Sequence, residues 1–338
     1  MKGSKDNYSL MIDLYYFRDN YGDELSPYLI AGLSGKKVRF CRPFSWKRIT
    51  LDVAICCRDI LFGRGFHNFS LAYARTAPVV LAVGSIVGLA RKNCIIWGSG
   101  ITYRTDPIEP GACYRAVRGP LTLRRLREAG CDVSGVVMGD PGLLLPLIYR
   151  PKVEPCHEFG IIAHPRNRRY GRPPVEPCHE FGIIAHNNDR KRFEVLLERS
   201  SCRDKFLFIS LRTNRKSVEK ITDEICSCRR ILSSSLHGLI VPHAYGIPAL
   251  RMESHTIPGD GSKFEDYFSS VGIKTYSPVT LNSENCASLE EMGKLFNGME
   301  KVSLPQVDLY SIRKQLLEAA PFPTVIEPEK SAQLEFLL

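Results

Sequence analysis

Short apolar runs alternating with stretches of helical spacing predict an α/β fold built on parallel sheets. The helical stretches carry the expected punctuation: Pro120 opens one of them and Gly130 stands just past its end. At 338 residues the chain is long enough for two domains, each burying its own core. An apolar fraction of 44% and a charged fraction of 24% are those of a soluble globular protein.

In the first half, strands are expected over Met11–Tyr16, Lys37–Phe40, Val79–Val83, Cys94–Trp97, Cys113–Val117 and Gly135–Met138. Asp23–Leu33 and Pro120–Ala129 read as helices between them. The pattern then starts afresh with strand Phe181–Ala185 and helix Asp189–Arg199. Strand Phe206–Ser210, helix Lys216–Cys226, strand Arg230–Ser233, helix Leu236–Tyr245 and strand Pro248–Met252 come next. Short helices are expected over Lys263–Ser270 and Ser288–Asn297. Leu309, Ile312, Leu316 and Leu317 keep helical spacing, so Val307–Ala320 reads as a last helix packing back on the first domain. The resulting division is a first domain over 1–150, a linker over 151–174, a second domain over 175–303 and a C-terminal helix and tail over 304–338.

The linker and the start of the second domain share a sequence. Val153 to His164 recurs letter for letter as Val175 to His186, which reads as a recent local duplication. Two copies are too few for a solenoid. Only one can serve as the first strand of the second domain. The second copy is the expected one, because Asp189 onward supplies the helix that should come after it. The first copy is then an exposed extension, a poorly ordered loop or an added edge strand.

Lys and Arg number 46 against 36 Asp and Glu, a net charge of +10. That balance favours anionic partners, whether phosphorylated small molecules, nucleic acid or an acidic membrane surface touched peripherally. The twelve cysteines are scattered, and neither Cys56-Cys57 nor Cys226 with Cys228 has the spacing of a zinc site. Cys156, His157 and His164 were copied together with their surroundings, and His157-Glu158 and His179-Glu180 lack the second histidine of a zinc-protease motif. No metal is expected. No dinucleotide or P-loop glycine motif stands after a strand, and Arg166-Asn167-Arg168-Arg169-Tyr170 reads as a solvated loop rather than a nucleic-acid contact. Met1 to Leu10 lacks the apolar run of a signal peptide, and Ala77–Ala90 is too short to span a bilayer. Free thiols in a reducing cytoplasm are the expectation.

The most informative stretch is Ser233-Ser234-Ser235-Leu236-His237-Gly238-Leu239-Ile240-Val241, running on to Gly246-Ile247-Pro248. Ser235 is placed as an N-cap, which puts His237 in the first helical turn, beside unpartnered N–H groups and the positive end of the helix dipole. A phosphate or carboxylate is at home there. A lone histidine at a helix start usually caps or faces solvent; inside this string it reads as functional. Pro242 favours a kink within the same helix, and His243, on a different face, reads as structural.

Other pieces fall at strand ends in order: Asn20-Tyr21-Gly22-Asp23-Glu24, Ala82-Val83-Gly84-Ser85-Ile86, Ile96-Trp97-Gly98-Ser99-Gly100, Ala116-Val117-Arg118-Gly119-Pro120 and Gly139-Asp140-Pro141. Gly182 to His186 and Lys263 to Phe268 complete the series. In this order the pieces resemble the polysaccharide pyruvyl transferase family. That resemblance implies two Rossmann-like domains with parallel sheets in a GT-B-like arrangement. The first would lie on the acceptor side and the second on the donor side. It implies transfer of pyruvate from phosphoenolpyruvate to two hydroxyls of a sugar as a ketal, in surface or exopolysaccharide synthesis. The acceptor would be lipid-linked or nucleotide-linked. Phosphoenolpyruvate enters as donor substrate, and no separate cofactor is implied.

The residue chemistry fits such a donor, which presents a phosphate and a carboxylate close together. Arg118, at a strand-to-helix turn, is positioned to grip an oxyanion with its guanidinium. Lys263 supplies a second charge, and His237 suits proton transfer near neutral pH. Arg118, His237 and Lys263 are the catalytic candidates. Asn20, Asp23, Gly84, Ser85, Ser99, Gly100, Ser234 and Ser235 are candidates for substrate binding. Asp23 reads equally as an acceptor-side base or as a helix cap. Gly84, Ser85, Ser99 and Gly100 either let backbone approach a ligand at the carboxyl ends of the strands or simply make tight turns. Asp140 reads as the organiser of its turn. Two alternatives stay open: a GT-B-type glycosyltransferase using a nucleotide sugar, and a non-catalytic sugar-binding relative.

Overall fold

The computed structural model describes residues 11–43, 78–151, 206–214, 216–254 and 259–326, together with 50, 53–54, 57–58, 61, 73–74, 153, 159–163 and 181–182. The expected helix Asp189–Arg199 and residues 183–185 of the expected strand lie outside them.

The first half forms a six-stranded parallel sheet. Its strands are β1 (Met11–Leu14), β2 (Lys37–Phe40), β5 (Val79–Leu81), β6 (Cys94–Trp97), β7 (Cys113–Val117) and β8 (Val137–Met138), in the order β2-β1-β5-β6-β7-β8. A small parallel pair, β3 (Arg42–Pro43) and β4 (Tyr73–Ala74), stands apart. Side chains alternate between the two faces as the pleat demands. Val80, Trp97 and Ala116 enter the larger core, whereas Val79, Leu81, Ile96 and Val117 enter a smaller one.

Helix α1 (Tyr21–Ser34) comes after β1 and buries Leu25, Leu29, Ile30 and Leu33 on one stripe. Gly35, at φ 65°, ends it in a left-handed turn. Helix α2 (Pro120–Glu128) comes after β7 with proline at its first position, as the punctuation predicts. A 3-10 turn, Pro141–Leu144, leads into the short α3 (Leu145–Ile148).

The second sheet has five parallel strands: β9 (Phe159–Ala163), β10 (Phe181–Gly182), β11 (Phe206–Ser210), β12 (Ile231–Ser233) and β13 (Ala249–Arg251), in the order β10-β11-β9-β12-β13. Around it lie α4 (Val218–Cys226), α5 (His237–Ala244), α6 (Ser262–Ser270), α7 (Leu289–Gly298), α8 (Glu300–Ser303) and α9 (Leu309–Glu318).

The duplicated segment departs from expectation. Its first copy, not its second, supplies the inner strand. Phe159–Ala163 pairs with β11 along its whole length and with β12 through Gly160–Ile162. Phe181–Gly182 lies in the same register beside Phe159–Gly160 and also meets β11 at Leu207. Identical residues have identical strand preferences, so the choice between copies rests on chain connection alone, and loop closure penalises length only weakly.

The larger core is continuous across both halves, running from Leu14 and Leu25 to Leu239, Ile240 and Phe268. The Tyr21 N–H donates to Leu211 O at 2.8 Å, and the Tyr21 and Thr222 hydroxyls share a hydrogen bond. Helix α9 returns to the first sheet, where Trp97 Nε1 donates to Leu316 O at 2.9 Å. From the same helix, buried Arg313 donates to Leu143 O and Ala244 O, tying the 3-10 turn to α5.

Candidate functional site

His237 begins α5 directly after the serine turn that closes β12. The hydroxyl that shapes this turn is Ser233, which accepts from Ser235 N and donates to Ser235 O. Ser235 is not the cap expected of it. Leu236 already has helical backbone angles at that position, and no side chain caps the helix. Ser234 and Ser235 are buried in the turn beneath His237. Pro242 does lie inside the helix, which ends two residues later.

His237 is only 8% exposed, and its ring packs against Gly22 of α1. A Cβ on Gly22 would overlap the ring, so this approach requires glycine. Nε2 faces Asp140 Oδ2 at 3.7 Å, and among the described residues neither atom has a hydrogen-bond partner. Asp140 is fully buried, and its other oxygen accepts from Gly142 N at 2.8 Å. It organises its turn as expected and also aims a second oxygen at the imidazole. That second role was missed; the available signal was an aspartate placed between Gly139 and Pro141 at a strand end.

Asp23 enters from the first turn of α1. Asn20, not Asp23, caps this helix: Asn20 Oδ1 accepts from Gly22 N at 3.2 Å, while Nδ2 donates to Asp23 Oδ2 at 2.7 Å. Asp23 Oδ1 is turned toward Gly84, whose φ of 117° opens the facing turn. Burial pushes the Asp23 carboxyl up to about 6, against the downward pull of His237, Asn20 and Lys263. Lys263 lies in the first turn of α6, 7% exposed, with Nζ 5.3 Å from the centroid of the Phe264 ring. Asn20, Asp23, Gly84, His237 and Lys263 are thus brought together.

Arg118 sits at its predicted turn but is engaged inside the protein. It is fully buried and paired at 3.1 Å with equally buried Asp266 of α6. Its remaining bonds go to Ile101 O at 2.6 Å and Ser85 Oγ at 2.7 Å. Asp266 is held in addition by Thr122 N and Thr122 Oγ1. The space that Gly100 leaves by lacking a Cβ is filled by this guanidinium rather than open to a ligand. Ser99 donates to Gly84 O and accepts from Ile86 N. Ser99, Gly100 and Arg118 together brace the turn that presents Gly84 and the half-buried Ser85.

His243 is structural, as its helical face implies. Nε2 points at the carbonyls of Ser303 and Ala249, so it carries the proton, and Nδ1 accepts from the Tyr267 hydroxyl at 2.9 Å. Burial lowers this imidazole to about 4. Among the described residues, no cluster of His, Cys, Asp and Glu is arranged to hold a metal ion, and no helix is long and apolar enough to cross a membrane.

The assembled side chains suit proton transfer on an anionic substrate. A carboxyl poised near neutral pH, an imidazole backed by a buried carboxylate and a nearly buried ammonium face one another. The family model for polysaccharide pyruvyl transferases matches residues 19–256, more than two-thirds of the chain and all the residues above except Lys263, Phe264, Asp266, Tyr267 and Ser303. An uncharacterised protein of Acanthamoeba polyphaga mimivirus is 33% identical over 196 residues, which is 57% of this chain and 60% of the viral protein. Among solved structures, a functionally uncharacterised Klebsiella pneumoniae protein aligns at a TM-score of 0.36 with 11% identity, over 80% of this chain and 93% of that one.

Proposed function

This chain belongs to the polysaccharide pyruvyl transferase family, and we propose that it transfers pyruvate from phosphoenolpyruvate to two hydroxyls of an acceptor sugar, leaving a ketal and free phosphate. The acceptor is a lipid-linked or nucleotide-linked sugar of a surface polysaccharide, handled at the cytoplasmic side of the membrane. The two parallel sheets are the two Rossmann-like halves of a GT-B-like arrangement in this reading.

The reaction needs a proton delivered to the enol methylene and two hydroxyl protons removed. Protonation makes C2 electrophilic, and the first hydroxyl adds there and gives up its proton. The C2–O bond to phosphate breaks, phosphate leaves with the bonding pair, and the second hydroxyl closes the ketal. His237 moves the proton at the donor carbon, and Asp140 fixes the imidazole and stabilises its charged form. Asp23, raised toward neutral pH, takes the acceptor's proton. Lys263 offsets the charge of the donor. Arg118 acts as a positioning residue, holding Ser85 and the α6 helix that carries Lys263.

The observation that carries this reading is the convergence of Asp23 and Asp140 on His237, with Lys263 acting on Asp23, within a chain of this family. Phosphate release from phosphoenolpyruvate across an acceptor panel, with product masses, tests it. Phosphate release coupled to pyruvate addition is expected; nucleotide release from a sugar nucleotide instead would replace it with glycosyl transfer.

A further inference from the structure

Arg251 has none of the internal partners that engage Arg118. It ends β13, in register with Ser233, the residue that opens the turn to His237. It therefore stands at the carboxyl edge of the parallel sheet, where open α/β folds bind ligands. Its guanidinium stacks 4.1 Å from the Phe264 centroid, the same ring that Lys263 Nζ approaches at 5.3 Å. Its two terminal nitrogens lie about as far from where a Cβ on Gly261 would be, 3.9 and 4.0 Å, so they point toward the start of α6.

Among the described residues no carboxylate pairs with this guanidinium. The acids nearby are engaged elsewhere: Asp260 with Arg104 N and Ser262, Glu265 with the Arg104 guanidinium, and Asp266 with Arg118 and Thr122. Burial lowers the Arg251 guanidinium from its ordinary value, with Tyr276 pulling the other way. A stacked, half-buried guanidinium beside a nearly buried ammonium has the composition of an oxyanion site.

We propose that Arg251 and Lys263, the two cations packed on the Phe264 ring, form an oxyanion subsite that takes a phosphate group. The fork of Arg251 supplies directed N–H donors, and Lys263 supplies charge on the side facing Asp23. Naming that phosphate as the donor's rests on the function proposed above; the phosphate chemistry itself does not. A phosphorylated acceptor would present the same group.

The test uses the full chain and its Arg251→Gln and Arg251→Lys variants, with melting curves to establish that each folds. Inorganic phosphate is titrated calorimetrically, and Michaelis constants are measured for phosphoenolpyruvate and for the acceptor. Phosphate binding should weaken about tenfold or more in Arg251→Gln, with Arg251→Lys between. A matching rise in KM for phosphoenolpyruvate, with kcat less affected, assigns the subsite to the donor; a rise for the acceptor assigns it there. Wild-type protein that binds phosphate no better than Arg251→Gln overturns the subsite. Phosphate binding that depends on Arg251 without any turnover of phosphoenolpyruvate sustains the subsite and rejects the reaction instead.

Discussion

The carboxyl edges of the two sheets use their polar groups in opposite ways. Along the first, Arg118, Thr122 and Asp266 satisfy one another, Ser99 bonds Gly84 O and Ile86 N, and Arg118 is sealed from solvent. Along the second, among the described residues, His237 Nε2 makes no hydrogen bond and Arg251 pairs with no acid. Apart from Asp23, which faces His237 from α1, the first edge is a brace, whereas the second carries His237 and Arg251. The two histidines of α5 repeat the contrast within one helix: His243 has both nitrogens bonded, while His237 has one nitrogen facing a carboxylate at 3.7 Å. A charged or titratable residue in a ligand-binding position is informative only once its partners are known.

The brace should give the largest effect when broken. Arg118→Met or Asp266→Leu alone leaves a buried charge unpaired and should destabilise the fold by about 3–5 kcal/mol. Combining the two should recover much of that loss, as urea unfolding would read. Single variants with wild-type stability would erase the distinction between the edges.

His237→Gln should do the reverse, leaving the melting temperature near that of the wild type while turnover falls about a hundredfold or more. Asp140→Asn is subtler. Its amide oxygen can still accept from Gly142 N, so the turn survives, but the charge facing the imidazole is lost. Turnover should fall about tenfold and the pH profile should move, with Asp23 and Lys263 as the other charged neighbours. An unshifted profile would reduce Asp140 to its turn.

Asp23→Asn should stabilise the protein. The raised carboxyl, about 6 when folded against an ordinary 3.8, penalises the folded state once it is ionised. The gain should therefore be full above pH 6 and vanish below pH 3.8. His243 contributes with the opposite slope, since its stabilisation is present above 6.5 and is lost as pH falls toward 4. A gain that persisted in acid would place the effect outside this titration. The smallest effect belongs to removal of residues 153–174, which leaves one intact copy of the strand and should barely change the melting curve.

Most elements were legible because local signals mark them. Strands Lys37–Phe40, Cys94–Trp97, Cys113–Val117 and Phe206–Ser210 fall where their apolar runs place them, and Pro120 and Gly130 bracket α2 and the turn beyond it. His237, Asp23 and Asn20 were legible through the pieces around them. The engagement of Arg118 was not, because Asp266 lies far along the chain and no local pattern announces a pairing across the two halves. Arg251 carries no motif at all; it becomes visible only beside Ser233 and Phe264. The copy that fills the inner strand was illegible in principle, since the two are identical.

The proposed reaction adds pyruvate to a sugar by protonating the enol carbon of phosphoenolpyruvate at the His237 edge. Running the reaction in deuterium oxide and examining the product by NMR tests it most directly. One solvent deuterium in the ketal methyl, with phosphate released in equal amount and both lost in His237→Gln, is the predicted result. A ketal methyl without solvent deuterium, or full turnover in His237→Gln, would contradict it.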